Sequence, residues 1–177
     1  MTKELEVIIG LEVHAQLNTK TKMFCGCDND AFDKQPNTTV CEICMGHPGT
    51  LPVPNKEAIA KSVTASLAIG CTVAPECHFD RKHYFYPDLP FGYQISQYDH
   101  PLAEHGEVHY DLRDGSGKSV REGVCRIHRL HMENDAGKLS HYGSKTLCDY
   151  NRAGTPLMEI VTEPDLRSAD EAVAFAE

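Results

Sequence analysis

Residues 6–17 read EVIIGLEVHAQL, and their alternation of apolar and polar side chains predicts a β-strand around which the rest of the chain is arranged. Successive side chains of a strand point to opposite faces, so one face is expected to pack in a core and the other to meet solvent or a site. The apolar face comprises Leu5, Val7, Ile9, Leu11, Val13, Ala15 and Leu17, and the polar face comprises Glu6, Glu12, His14 and Gln16.

Glu12 and His14 stand two residues apart on the polar face, which places them about 7 Å apart along an extended strand. A carboxylate and an imidazole at this spacing can bind one hard cation. From this stretch alone two interpretations stay open: the solvated side of an amphipathic strand, or part of a functional site.

The composition narrows the class of protein. A length of 177 residues suits one domain with its own core. The formal net charge of -9 argues against a protein that binds nucleic acid over its whole surface, although a local basic strip remains compatible with it. The sequence contains no secretion signal and no apolar run near the about 20 residues that span a bilayer, so we expect a soluble, cytoplasmic protein.

Four of the eight cysteines are grouped in a way that indicates a metal site. Cys25 and Cys27 are separated from Cys41 and Cys44 by a polar, loop-like segment of 13 residues, so four thiolates can converge on one tetrahedral ion. The prediction is a structural zinc knuckle at residues 25–44, with free reduced thiols or a disulfide as the alternatives. The remaining cysteines show no ligand spacing and are predicted to be small core residues: Cys71, Cys77, Cys125 and Cys148.

A helix and a hairpin are predicted in the middle of the chain. Asn55 occupies an N-cap position, Gly70 supplies a stop, and an apolar stripe of Ile59, Val63 and Leu67 lies between them. Residues 107–128 then read as a β-hairpin whose turn is Asp-Gly-Ser-Gly at 114–117.

A second stretch, residues 81–90, carries side chains that could form a binding site. As a strand that ends at Pro87, it places Lys82, Tyr84 and Tyr86 on one side. A lysine between two phenols suits an anion such as a phosphate or a ribose terminus. A solvated strand with aromatic packing is the equally good alternative.

Two carboxylates further along the chain point to a site. An extended segment aligns Arg129, His131 and Glu133 on one face, with Leu130 and Met132 on the other. Glu159 lies inside an apolar run, and a carboxylate buried there must be paired or metal-bound, because an isolated buried charge is too costly.

The chain resembles the B-subunit family of the aspartyl/glutamyl-tRNA amidotransferases, enzymes that make Gln-tRNA and Asn-tRNA from mischarged precursors. The resemblance covers nearly all of the chain in order. It implies an α+β fold similar to glutamine synthetase, with an antiparallel-rich mixed sheet and flanking helices, whereas the small zinc knuckle rests on the cysteine spacing alone. The motifs that carry it are GLEVH at 10–14, FDRK at 79–82, YFYPD at 84–88, QISQ at 94–97, HME at 131–133, DAGK at 135–138 and NRAGTPL at 151–157.

By this resemblance, residues 1–177 are the N-terminal portion of one catalytic cradle domain, with the knuckle at 25–44. A capping box at 168–171 opens a helix of about two turns before residue 177, and most globular helices are longer. We therefore expect the chain to be part of a longer protein and to be inactive alone. The implied partners are the amidase (the A-subunit), the small C-subunit of the amidotransferase and mischarged tRNA.

The resemblance also implies a chemistry. ATP with magnesium would phosphorylate the side-chain carboxylate of Glu or Asp on the tRNA, and ammonia from the amidase would displace the phosphate. Lys82 would neutralise phosphate charge, with Tyr84 and Tyr86 at the nucleotide pocket. The implied magnesium ligands are Glu12, His14, Glu133 and Glu159. The alternative is a zinc-stapled module that binds tRNA or a partner without a complete active site.

The sequence departs from the family at one place. The motif HME is usually followed by a second glutamate, whereas this chain has Asn134. An amide oxygen can bind magnesium but brings no charge, so either the metal site is weaker or Asp135 compensates.

Overall fold

The computed structural model describes residues 5–177 and shows an α+β protein with nine strands and two helices in that range. The fold class expected from the sequence is confirmed at this level. The elements are β1 Glu12–Gln16, α1 Lys56–Ala68, β2 Thr72–Val73, β3 Asp80–His83, β4 Tyr93–Ser96, β5 Ala103–Arg113, β6 Ser119–Asn134, β7 Lys138–Tyr142, β8 Lys145–Asp149, β9 Pro156–Thr162 and α2 Ala169–Ala176.

The strands form one large sheet and two small ones. The large sheet has five strands in the order β1-β9-β6-β5-β2, and the pairs β3-β4 and β7-β8 form separate two-stranded sheets. Every strand pairing among residues 5–177 is antiparallel, so the expectation of a mixed sheet is wrong for this part of the chain. Strand β9, late in the sequence, lies between β1 and β6 and joins the two ends of the chain.

The predicted hairpin is confirmed as β5 and β6, the two longest strands. Its turn is held by Asp114, whose Oδ1 accepts hydrogen bonds from the backbone N–H groups of Ser116 and Lys118 at 2.9 and 3.1 Å. Gly117 has a φ of 82°, in the left-handed region that favours glycine.

The main core lies on one face of β6. Leu130 and Met132 are 0% and 1% exposed, as the alternation of this strand predicts. Helix α1 crosses β2, β5 and β6 on this face. The other buried members of the cluster are Leu17, Met23, Phe24, Ala58, Ile95 and Leu102.

Helix α1 begins after Asn55, as predicted, but its buried face is shifted. Ala58, Ser62 and Ser66 are the buried residues. Leu67, which the apolar stripe predicts to be buried, is 63% exposed. Small side chains let a helix lie close to a sheet, so the face that carries Ala58, Ser62 and Ser66 is the one that packs. Ile59 and Val63 pack against the edge of the core, as expected.

The first strand is shorter and less buried than its pattern predicts. Strand β1 starts at Glu12, and before it Ile9 forms only an isolated bridge with Leu166. Val7 and Val13 are 54% and 39% exposed, and only Leu17 of the apolar face is fully buried. The prediction of a buried apolar face is therefore wrong for most of this stretch, because β1 is the outer strand and α1 lies over the opposite half of the sheet.

The predicted cap of the second helix is half formed. The Ser168 hydroxyl accepts a hydrogen bond from the N–H of Glu171 at 3.2 Å. The Glu171 carboxylate does not return to Ser168, but accepts from the N–H of Arg167 at 2.6 Å and pairs with Arg121. It thus joins the helix start to β6.

The cysteines outside the knuckle are free thiols. Cys71 and Cys125 are buried core residues, as predicted, whereas Cys77 and Cys148 are half-buried. In residues 5–177, neither helix has the length and hydropathy that a membrane crossing requires.

Asn55 joins the start of α1 to the segment that enters the knuckle, and this generates a prediction. Its Oδ1 accepts from the N–H groups of Glu57 and Ala58, and its Nδ2 donates to the carbonyls of Thr21 and Lys22. Asn55→Ala removes both sets of bonds and is expected to lower the free energy of unfolding by about 1–2 kcal/mol. Chemical denaturation measures this.

Asn55→Ser is the matched variant, since serine keeps the cap acceptor but loses the amide donors. It is expected to fall between wild type and Asn55→Ala. An Asn55→Ala chain as stable as wild type would contradict this role.

Candidate active site and cysteine cluster

Three strands bring His14, Glu159 and His131 into one row. His14 of β1 lies opposite Glu159 of β9, and Glu159 lies opposite His131 of β6. Side chains of directly opposed residues are about 5 Å apart at Cβ, close enough for their polar ends to meet. Glu159 Oε2 is 3.0 Å from His14 Nε2 and 3.3 Å from His131 Nε2. The prediction that a buried Glu159 must be paired is confirmed.

Glu133 completes the group from two residues further along β6. Its side chain is 2% exposed, and His131 Nε2 lies 3.6 Å from its Oε2. The hydroxyl of Ser96, on β4, donates to the same oxygen at 3.0 Å. Two buried carboxylates therefore share one imidazole, and a serine orients one of them.

The electrostatics keep the Glu159 carboxylate ionised. The hydrogen bond from His131 is the main reason that the pKa of Glu159 falls to about 2, despite its partial burial. Burial alone would lower the pKa of His131, but its bonds to Glu133 and Glu159 outweigh this and raise the pKa. Arg129 Nε donates to the other ring nitrogen, Nδ1, at 3.2 Å, so the ring's Nε2 proton faces the carboxylates.

Three of these side chains are arranged as cation ligands. One ligand atom each from His14, Glu133 and Glu159 lie within 4.8 Å of one another. Carboxylate oxygens are the donors that magnesium prefers, with room for water and phosphate oxygens in the remaining positions. Glu12 is exposed and is not among the three, although it lies on the same face of β1 as His14.

Among Lys82, Tyr84 and Tyr86 of the second stretch, Tyr84 is the one whose surroundings include Glu133. Strand β3 ends at His83 rather than at Pro87, so the prediction that one strand aligns Lys82, Tyr84 and Tyr86 is wrong, and only Lys82 lies in the strand. Burial first, and then the charges of Asp88, Glu133 and Asp135, raise the pKa of Tyr84. Tyr84 therefore lies within electrostatic range of Glu133. Lys82 and Tyr86 are exposed, and in residues 5–177 Lys82 forms no ion pair.

Asn134 faces away from the carboxylates. Its Oδ1 accepts from the N–H of Ile95 at 2.8 Å, and its backbone carbonyl accepts from Gln94 Nε2. Asn134 thus ties β6 to β4. Asp135 instead accepts a hydrogen bond from Gln16 at 2.6 Å and lies 3.7 Å from Arg152 Nε.

A cavity of about 820 Å³ lies beside this contact. Gln16 and Arg152 belong to its wall, with Lys34 and Lys138 further along. It therefore begins two residues from His14, on the polar face of β1.

The four cysteines of the knuckle converge as their spacing predicts. The sulfur atoms of Cys25, Cys27, Cys41 and Cys44 lie within 4.8 Å of one another, which makes the cluster a possible metal site.

Contacts inside the cluster favour one thiolate. The Cys41 N–H donates to Cys44 Sγ at 3.2 Å. The hydrogen bond from Cys25 is the main reason that the pKa of Cys44 falls to about 5, and the same bond raises the pKa of Cys25. Burial raises the pKa of Cys27 to about 11.

Sequence reasoning missed two supporting residues. Ser96 sits in a motif that the resemblance includes, but its contact with Glu133 depends on how the β3-β4 hairpin packs on β6. Lys22 precedes the knuckle and reads as a surface residue, yet it is 0% exposed. No periodicity signals either position.

The sequence matches the profile of the GatB/GatE catalytic domain over residues 7–177. Curated relatives named as the B-subunit of aspartyl/glutamyl-tRNA(Asn/Gln) amidotransferase include those of Crocosphaera subtropica (53% identical over 98% of this chain), Syntrophotalea carbinolica (54% over 99%) and Persephonella marina (56% over 98%). The aligned region is 36%, 35% and 35% of these relatives, so this chain spans about a third of their length.

The row of charges predicts how His131 titrates. Glu159→Gln removes one of the two carboxylates that raise the pKa of His131, so this pKa is expected to fall in the chelator-treated chain. Histidine ring signals followed by NMR against pH measure this.

Glu163→Gln is the control, because Glu163 pairs with the exposed His128 at 2.9 Å and not with His131. A His131 titration that Glu159→Gln leaves unchanged would refute the pairing.

Proposed function

The chain belongs to the GatB/GatE catalytic-domain family, and from that premise we propose that it supplies the phosphorylation site of a tRNA-dependent amidotransferase. In this proposal, ATP phosphorylates the side-chain carboxylate of Glu or Asp esterified to tRNA, and ammonia from a partner amidase then displaces the phosphate. The observation that supports it best is the convergence of the exposed imidazole of His14 with the buried carboxylates of Glu133 and Glu159.

The donor set fits magnesium. His14, Glu133 and Glu159 would hold the ion, and we propose the exposed Glu12 as a further ligand from the same face of β1. When bound, magnesium neutralises the charge that develops on the phosphoryl group in transfer. His131 Nε2 lies 3.6 Å from Glu133 and 3.3 Å from Glu159, and the Ser96 hydroxyl donates to Glu133, so the ligands are oriented before any cation binds.

The remaining residues serve the anionic substrates. We propose that Lys82 neutralises phosphate charge, since its hairpin also carries Ser96, which contacts Glu133. Tyr84 and Tyr86 would line the nucleotide pocket, with Tyr84 nearest to Glu133. A carboxylate is a poor acyl donor, and its conversion to an acyl phosphate supplies a good leaving group. Positioning of the phosphate and neutralisation of its charge provide most of the catalysis of phosphoryl transfer.

The cysteine cluster is proposed to hold structural zinc. Four thiolates fill a tetrahedral site and leave no open position for chemistry. Among the four cysteines of the knuckle, only Cys44 is buried, so the loop has little core of its own. Its role is then to stabilise the loop beside α1 and β9.

In the complete enzyme, we propose that this chain works in the cytoplasm with the amidase (the A-subunit), the small C-subunit and mischarged tRNA. The glutamine-synthetase-like cradle also remains part of the proposal. A second candidate function is a zinc-stapled module that binds tRNA or a partner without completing the reaction. It is favoured by the convergence of the four cysteines, which does not depend on the phosphorylation site.

The first test is phosphoryl transfer by the full-length protein with its amidase partner, ATP and Glu-tRNA. His14→Ala and Glu133→Gln are each expected to lower acyl-phosphate formation by about a hundredfold or more, because each removes a charge-stabilising ligand. Glu12→Ala is expected to have a smaller effect, since its carboxylate is exposed.

Glu163→Gln provides the control, because it removes a carboxylate of the exposed pair with His128. Unchanged turnover in folded His14→Ala would refute the ligand assignment. Tight tRNA binding without ATP consumption would favour the binding module.

The second test is metal content. After purification without added metal, elemental analysis is expected to find about one zinc ion per chain. Cys41→Ser is expected to lose it, whereas Cys148→Ser, outside the cluster, is expected to retain it. Free thiols with clearly substoichiometric zinc in the wild-type chain would contradict the assignment.

A further inference from the structure

Lys22 is a lysine in an unusual place. It is 0% exposed and is among the largest fully buried side chains of the protein. Burying an ammonium group is costly unless an anion compensates for it. In residues 5–177, no carboxylate lies within ion-pair distance of Lys22.

The contacts of Lys22 lead to the cysteine cluster. Its Nζ lies 3.8 Å from Cys44 Sγ and donates to the backbone carbonyl of Tyr150 at 3.3 Å. The carbonyl offers only a partial charge. The sulfur of Cys44 is therefore the one partner in this environment that can carry a full negative charge.

We propose that Lys22 is the charge partner of the metal-bound cysteine cluster and fastens that cluster to the backbone at Tyr150. The proposal rests on the zinc assignment made above. Four thiolates around a divalent ion leave a net charge of about -2. One buried ammonium offsets part of this charge, in the way that outer partners of metal ligands tune affinity.

The same lysine packs against the segment that leads into β9. A Cβ added at Gly154 would lie 3.3 Å from Lys22 Cδ and 3.5 Å from Cys44 Cβ, so this backbone passes close to both side chains. The Met23 N–H donates to the Gly154 carbonyl at 2.8 Å. Glu159 follows on the strand that begins at Pro156. Lys22 thus connects the cluster with the start of the strand that carries a proposed magnesium ligand.

The test is the zinc affinity of the full chain, measured by competition with a chromogenic chelator. Lys22→Met keeps an unbranched stem but removes the charge, and it is expected to weaken zinc binding by about 10–100-fold. Lys34→Met is the matched control. Lys34 lies within the knuckle, pairs with Asp28 at 2.6 Å and does not contact the cysteines. This variant is expected to leave the affinity unchanged.

Lys22→Arg separates charge from packing and covers the case in which Lys22→Met does not fold. Arginine keeps the positive charge, so this variant is expected to bind zinc more tightly than Lys22→Met and to support folding. Equal affinities of Lys22→Met and wild type would overturn the proposal. So would an arginine variant as weak as the methionine variant.

A stability measurement gives an independent readout. With zinc bound, Lys22→Met is expected to be less stable than wild type. After chelation this difference is expected to shrink, because the ammonium then faces the single thiolate of Cys44 instead of a cluster with a net charge of about -2. A wild-type chain that binds no zinc would refute the metal assignment itself, whereas normal zinc binding with no effect of Lys22→Met would refute only the role of Lys22.

Discussion

The register of β9 between β1 and β6 is the constraint on which the site depends. It sets Glu159 opposite both His14 and His131. A shift of one residue would turn Glu159 toward the opposite face and bring Met158 or Ile160 into the row. Because Met158 and Ile160 pack against the core cluster, the same register satisfies the core and assembles the carboxylates. In a shifted register the Glu159 carboxylate would be buried without its partners, which is strongly destabilising. The pairing of Glu159 therefore disfavours other registers of β9.

Contacts at the start of β9 hold this register. The Asp135 N–H donates to the Thr155 carbonyl, and the Gly154 N–H donates to the Asp135 carbonyl, both at 2.9 Å. On the other side, the Leu17 N–H donates to the Pro156 carbonyl. The turn before β9 is therefore fastened to the ends of β6 and β1, and Met23, in the segment that enters the knuckle, donates to the Gly154 carbonyl. The knuckle and the carboxylate row are two parts of one arrangement.

Periodicity and spacing predicted the parts of this arrangement that local sequence controls. The alternation of β6 placed Leu130 and Met132 in the core, the spacing of the cysteines placed their cluster, and the apolar surroundings of Glu159 indicated a paired carboxylate. The burial of Val13 and Leu67 was predicted wrongly, because burial depends on which elements cover a face. Ser96 and Lys22 owe their positions to packing between distant segments, which no local pattern records. The ligand and catalytic roles stay predictions for all the proposed site residues: Glu12, His14, Lys82, Tyr84, Tyr86, Glu133 and Glu159.

The two candidate metal sites follow one electrostatic scheme with different chemistry. In each, buried acidic groups have few partners that offset their charge: Glu133 and Glu159 face the Nε2 proton of His131, and Cys44 faces the ammonium of Lys22. The remaining negative charge favours a divalent cation. Oxygen ligands select a hard ion and thiolates select zinc, so the ligands themselves keep the two metals apart. The turn at Gly154 lies beside Cys44 and leads into β9, the strand that carries Glu159. It therefore connects the cysteine cluster with the carboxylate group.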